Sequence, residues 1–247
     1  DRDRKGVAIW VRGNHIVVVP KSIKAWHGET KGGIRIAGTA DLEEDGAREV
    51  FVGIDGHKED AGILVCMGLD GTKRWQFNTG AIHWNQNGCT DRMNVSGLDI
   101  ADLDGDGRRE VITVSNHIQL FPCRVCVLSW EGKLVSEYWN PGHGGSPFAE
   151  DIDGDGKPEV LISFVNNDME MTQVLACFKG TNIRGTAPPG GKDGTQVWYT
   201  KLPGAKAPMK RVTPKREKKD GPATRIECEF QDGTWVLAPD GTVIQKP

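Results

Sequence analysis

The sequence predicts an all-β fold: a β-propeller of about five (four to five) blades, each a four-stranded antiparallel sheet. Three observations carry this. An acidic motif recurs three times in register. Each copy leads into the same series of short apolar runs. Glycine is abundant, 32 of 247 residues, as short strands joined by tight turns require.

The first copy of the motif is Asp41-Leu42-Glu43-Glu44-Asp45-Gly46-Ala47-Arg48-Glu49-Val50. The second is DLDGDGRREV from Asp102, and the third is DIDGDGKPEV from Asp151. The shared pattern is D-φ-[DE]-x-D-G-x-x-E-V. The leading aspartates lie 61 and 49 residues apart, a period that suits a propeller blade. After the motif come VFVGI, VITVS and VLISF, whose β-branched and aromatic density reads as buried strand. A second apolar run follows (GILVCMGL, CRVCVLSW, TQVLACF), then a turn and a strand bearing Trp75, Trp139 or Trp198. These three tryptophans recur at matching places and read as packing between blades. With the residues before the acidic loop, each unit offers four strands.

The whole chain reads as one propeller domain, with repeats at 36–85, 95–140 and 146–200. Residues 1–35 form a partial blade, because residues 7–26 give two or three strands ending in Trp26. Residues 222–247 form a partial closing blade. Two termini sharing one blade would remove exposed sheet edges. Between them, residues 201–221 carry eight Lys/Arg and three Pro and read as a solvated basic loop. The alternative is a patch for an anionic partner such as an acidic polysaccharide.

Net charge is −3, which gives no reason to invoke nucleic acid. No run of 18 apolar residues is present, so no membrane-spanning helix is expected. The N-terminal DRDRKG has no apolar signal region, which implies a cytosolic protein or a leader already removed; the abrupt start suggests a processed form or a fragment of something longer. Of six cysteines, Cys66, Cys126 and Cys177 lie in apolar strand-like runs and read as buried thiols. Cys123-x-x-Cys126 resembles a zinc half-site or redox pair, but it lacks a second such pair, nearby histidines and a following helix. One or two disulfides are the remaining alternative.

The acidic loops carry the chemistry. D-x-D-x-D-G puts carboxylates at positions 1, 3 and 5 of a loop that curls around a point, with glycine allowing the turn. Hard oxygen donors at this density suit Ca²⁺, and carboxylates this close repel one another without a cation. An EF-hand begins the same way but needs Glu at position 12 and flanking helices. Here position 12 is Val52, Thr113 or Ile162, inside apparent strands, and the acidic residue falls at position 9.

Residues 36–200 thereby resemble the FG-GAP (VCBS-type) repeat family, the blade units of integrin α-subunit propellers and of many bacterial secreted proteins. The resemblance implies two to three Ca²⁺ ions. Their ligands would be Asp102, Asp104, Asp106 and Glu110, and Asp151, Asp153, Asp155 and Glu159, with main-chain carbonyls from Arg108 and Lys157. The first copy matches with Asp41, Glu43, Asp45 and Glu49, and the Ala47 carbonyl. It departs from the family where Glu43 replaces Asp and Glu44 replaces Gly, changes expected to weaken that site.

Extracellular modules of this kind bind calcium weakly, which implies a secreted or cell-surface protein, the periplasm included. The leading function is a binding, adhesion or assembly module for a protein or glycan on a cell surface or in an extracellular assembly. Polar segments offer candidate contacts at residues 55–60, 115–117 and 166–168, with His117 among them; ordinary turns are the competing reading. Trp84 lies outside the repeat pattern and, with His83, is a candidate ligand-binding residue. An enzyme, for instance a polysaccharide lyase with groups from residues 82–87 and 141–143, is the second hypothesis, although no acid–base constellation stands out and no catalytic residue is assigned. A purely structural subunit is the third.

Overall fold

The computed structural model describes residues 7–19, 26–30, 32–55, 62–79, 93–118, 121–186, 195–205, 208–218 and 221–247. These residues form five antiparallel sheets, and no α-helix is found among them. The first sheet holds β1 (Ala8–Arg12), β2 (His15–Val19) and β3 (Trp26–Glu29). The second holds β4 (Ile34–Ala40), β5 (Glu49–Ile54), β6 (Ile63–Gly68) and β7 (Lys73–Asn78). The third holds β8 (Met93–Ala101), β9 (Glu110–His117), β10 (Cys123–Leu128) and β11 (Leu134–Asn140). The fourth holds β12 (Phe148–Glu150), β13 (Glu159–Asn166) and β14 (Thr172–Lys179). A short strand, β15 (Gly185–Thr186), then joins the outer edge of the third sheet, parallel to β11. The chain returns as β16 (Gln196–Leu202) to complete the fourth sheet. The fifth holds β17 (Arg211–Lys215), β18 (Arg225–Glu229), β19 (Thr234–Leu237) and β20 (Val243–Gln245).

The sheets stack in series because the second and third strands of the second, third and fourth sheets are apolar on both faces, so each of these needs a neighbour on either side, while β2 and β18 alternate buried with exposed residues and suit the two ends of the stack. In β9, Val111 faces the second sheet while Ile112 and Val114 face the fourth. In β13, Leu161 faces the fifth sheet while Val160, Ile162 and Phe164 face the third. Four cores result, one between each consecutive pair of sheets. Ring closure, expected from the sequence, is not seen: among the described residues no apolar core joins the first sheet to the fifth.

Two readings of the sequence change. Residues 211–215, inside the stretch read as a basic loop, form β17, so the fifth sheet is a whole four-stranded unit. Pro214 is tolerated there because β17 lies at the sheet edge and pairs only with β18. Trp139 is also not equivalent to the other two tryptophans. Register puts Trp75 opposite Cys66 and Trp198 opposite Cys177, but the matching position opposite Val127 is Ser136.

Trp75 and Trp198 do join adjacent sheets, each in the same way. The indole N–H of Trp75 donates to Trp130 O, and that of Trp198 to Pro239 O, both at 2.9 Å. Each ring lies on a turn glycine of the next sheet. A Cβ at Gly132 would come within 2.5 Å of Trp75, and one at Gly241 within 2.6 Å of Trp198. At the third seam Ser136 instead bonds to Thr181 O and accepts from the Ile183 amide.

Cys66, Cys123, Cys126, Cys177 and Cys228 are free and buried. Cys123 faces the core toward the fourth sheet and Cys126 the core toward the second, because residues three apart on a strand point to opposite faces. That geometry rules out a shared metal or redox role for this pair. Burial pushes the thiols of Cys66, Cys126, Cys177 and Cys228 up to about 12, so they behave as small apolar side chains. Cys89 lies outside the described residues.

Candidate metal centre

Each acidic loop joins the first strand of its sheet to the second, so all three lie on one rim. The local fold follows from the motif itself. Glycines occupy the left-handed region at positions 4 and 6 of the second and third loops, with φ of +81° and +85° at Gly105 and Gly107 and of +82° and +88° at Gly154 and Gly156. The aspartate at position 1 accepts both glycine amides that these turns expose, and Asp102 also accepts the Asp106 amide at 3.2 Å. Asp102 takes Gly105 N at 2.6 Å and Gly107 N at 3.0 Å; Asp151 takes Gly154 N at 2.7 Å and Gly156 N at 3.0 Å. The position-5 aspartates accept the amides of Arg108 and Lys157.

The position-9 glutamate opens the second strand, which carries its carboxyl under the loop. One oxygen accepts the position-2 amide: Glu110 from Leu103 at 2.9 Å, Glu159 from Ile152 at 2.8 Å, Glu49 from Leu42 at 3.1 Å. All three glutamates are buried. Carboxylate oxygens of Asp102, Asp104 and Glu110 all lie within 4.8 Å of one another, as do those of Asp151, Asp153 and Glu159. The first loop brings no such trio together among the described residues.

The loops differ in their counter-charge. Burial, aided by Asp104, Asp106 and Asp102, pushes the Glu110 carboxyl up to about 7. Among the described residues no lysine or arginine pairs with the side chains of the second loop; Lys157 Nζ, from the third, donates instead to the Asp104 carbonyl at 2.6 Å. In the third loop Lys179 Nζ lies 2.5 Å from Asp153, 2.8 Å from Asp155 and 3.3 Å from Glu159. These contacts hold its ammonium well above the ordinary range and the Asp155 carboxyl below it. In the first loop Arg74 pairs with Glu43 and Glu49. Burial raises the Glu49 carboxyl, and Arg74 partly offsets this.

The donor set fits a hard dication best in the second loop, where converging carboxylates have no cation of their own. It fits in the third loop if the flexible, half-exposed Lys179 gives way. Lys179 and Arg74 were not identified from the sequence, because each lies far along the chain from the carboxylates it meets.

The loops are also latched together. Arg109 N donates to Leu42 O at 2.8 Å and its guanidinium reaches Glu44. Arg216, from the basic stretch, bonds Glu150 and the Asp151 carbonyl.

The other candidates fare differently. His83 and Trp84 lie outside the described residues, as do residues 56–60. His117 is 3% exposed, and its carbonyl lies 3.1 Å from His143 Nε2. The polar segments 115–117 and 166–168 fix strand ends. Asn116 Nδ2 donates to Ser96 Oγ and Gly144 O, and Asn166 Nδ2 donates to Tyr199 Oη. Exposed apolar side chains stand beside them: Ile118, Phe121 and Met171. Phe121 lies 5.9 Å from the His143 ring.

No protein-family model matches the chain, and no curated protein matches it. Solved structures do. The Dos1 propeller superposes on 97% of this chain with a TM-score of 0.63 at 11% identity. The fold is propeller-like. A rhamnogalacturonan lyase, PL11, of Bacillus licheniformis superposes on 94% with a TM-score of 0.54 at 14% identity. The match covers 55% of the first structure and 50% of the second, so the chain spans about half the length of each. At these identities the likeness is one of fold.

Proposed function

We propose that this chain is a calcium-stabilised propeller of the FG-GAP (VCBS) type that works outside the cytoplasm as a binding, adhesion or assembly module. The carrying observation is the second loop, where Asp102, Asp104 and Glu110 converge within 4.8 Å and, among the described residues, no lysine or arginine pairs with their carboxylates. Bound there, Ca²⁺ supplies the missing positive charge and draws the loop onto the first residue of β9. The third loop takes a second ion when Lys179 swings aside. A cation held only by the folded chain stabilises it by mass action, and the weak affinity of extracellular sites suits calcium-rich surroundings. These ions are structural in this reading, not catalytic.

Titration calorimetry with elemental analysis tests this directly. Two calcium ions per chain are expected, and Asp104→Asn and Asp153→Asn are each expected to remove one. A wild-type chain that binds no calcium sinks the metal reading and, with it, the extracellular one.

The partner belongs to the opposite rim. Loops joining second to third strands lie at the far end from the acidic loops, and Ile118, Phe121 and Met171 stand exposed there at 47%, 53% and 65%. Aromatic and Met side chains beside polar strand ends suit a protein or glycan surface. The calcium-loaded protein is expected to bind members of a glycan or cell-surface protein array, with Phe121→Ser weakening retention at least tenfold. An array signal indifferent to Phe121→Ser would move the contact elsewhere. The likeness to a lyase is a likeness of fold, and no side-chain geometry among the described residues favours the polysaccharide-active alternative.

A further inference from the structure

We propose that the first acidic loop takes no metal ion, and that the Arg74 guanidinium is its resident cation. The contrast between loops rests on the calcium reading above; the role of Arg74 does not.

Register supplies the first argument. In the second, third and fourth sheets, the last two strands pair antiparallel with one irregularity at the same place. It falls between Cys66 and Met67, between Val127 and Leu128, and between Cys177 and Phe178. The residues left over on the outer strand are Arg74, Val135 and Val197 in turn. An irregularity of this kind re-aims the extra side chain. Val135 and Val197 are exposed at those positions. Arg74 instead turns back onto the acidic loop of its own sheet.

Its contacts are those an ion would need. Nη2 lies 2.5 Å from Glu43 Oε2, and Nη1 bonds the buried Glu49 carboxylate. These are positions 3 and 9, which in the other loops are Asp104 with Glu110 and Asp153 with Glu159. A guanidinium keeps its charge and presents a rigid fork of donors, so it can bridge two carboxylates. Lys179 also enters its loop and also meets a buried glutamate, but it does so as a point charge on a flexible stem, whereas the planar fork of Arg74 spans Glu43 and Glu49 with separate nitrogens.

The departures of the first loop from its own repeat now have a reason. Glu43, longer than aspartate, reaches out to the guanidinium. Glu44 adopts φ +53° where the other loops have glycine. Asp102 and Asp151 each spend an oxygen on the amide of that glycine. The matching oxygen of Asp41 is buried with no donor. With Arg74 removed, that oxygen, Glu43 and Glu49 become the donors from which a third ion site can form.

The test is Arg74→Val, the residue the other two sheets carry, assayed for calcium stoichiometry and for thermal unfolding in EGTA. The wild-type chain should bind two ions. The variant should melt roughly 3–8 °C lower in EGTA, recover in millimolar calcium and bind a third ion. Three ions on the wild-type chain, or an EGTA melt unchanged by the substitution, would overturn the proposal. If the wild-type chain binds no calcium at all, the proposed function fails, while the EGTA melt still decides the role of Arg74. Should Arg74→Val not fold, Arg74→Val combined with Glu43→Gln and Glu49→Gln removes the stranded charges and should restore the fold; a triple variant no better than the single one overturns the proposal as well.

Discussion

Chelation with EGTA is expected to lower the midpoint of thermal unfolding by roughly 6–20 °C relative to 10 mM calcium. Extracellular oxygen-ligand sites dissociate calcium at about 10⁻⁴–10⁻³ M. At 10 mM each site then stabilises the folded chain by about 1.4–2.7 kcal/mol, because only the folded chain assembles it. Two sites contribute about 3–5 kcal/mol, and a chain of this size shifts by about 2–4 °C for each kcal/mol. The sign follows from the carboxylates. Without an ion, burial and three neighbouring aspartates already push the Glu110 carboxyl up to about 7, the mark of negative charge held at a cost. Differential scanning calorimetry across a calcium series checks this. A midpoint that does not move between EGTA and 10 mM calcium would show that the loops close without a divalent ion.

Replacing Phe178 by alanine is expected to destabilise the chain by about 3–5 kcal/mol. Phe178 is fully buried in the seam between the third and fourth sheets. Its ring meets Tyr138 edge-on at 4.9 Å between centroids, and Tyr138 also packs against Phe164. The backbone on both sides is fixed by strand pairing, Phe178 opposite Val160 and Gln196, so the cavity cannot collapse. A domain has only about 5–15 kcal/mol in total, so the variant should lose a large share of its urea midpoint. Val197→Ala, on the exposed side of β16, serves as control and should stay within about 0.5 kcal/mol. A Phe178→Ala midpoint indistinguishable from that control would mean that this seam is not a cooperative core.

The repeat was legible because two physical periods are written into it. Carboxylates alternate along a turn, and β-branched residues fill strands buried on both faces. Both survive in any one copy, so Asp102, Asp104, Glu110 and their third-loop counterparts could be read directly. What stayed hidden depended on register. Trp139 matches Trp75 by eye, yet pairing puts it opposite Arg124, while Ser136, opposite Val127, stands where Trp75 stands opposite Cys66. β17 was masked by its composition: a strand at the sheet edge keeps polar side chains and can hold a proline, so RVTPK looks like loop. Arg74 and Lys179 meet their carboxylates across strand pairings, and no local pattern marks them. Comparing Arg74 with Val135 and Val197 would have singled out the arginine, but only once the irregularity was known.

The latches along the acidic rim bear on how the ions would communicate. Lys157 belongs to the third loop, yet its ammonium is hydrogen-bonded to the Asp104 carbonyl of the second, and Arg109 of the second loop holds Glu44 of the first. Filling one loop therefore fixes a side chain whose other end lies in the next. The ordering entropy lost at the first ion is not lost again at its neighbour. The rim is wired in a single direction along the chain, the third loop lending a cation to the second and the second to the first, so under the calcium reading an ion in the third loop would favour one in the second, and the first loop, held by Arg74, would take up that order without an ion of its own.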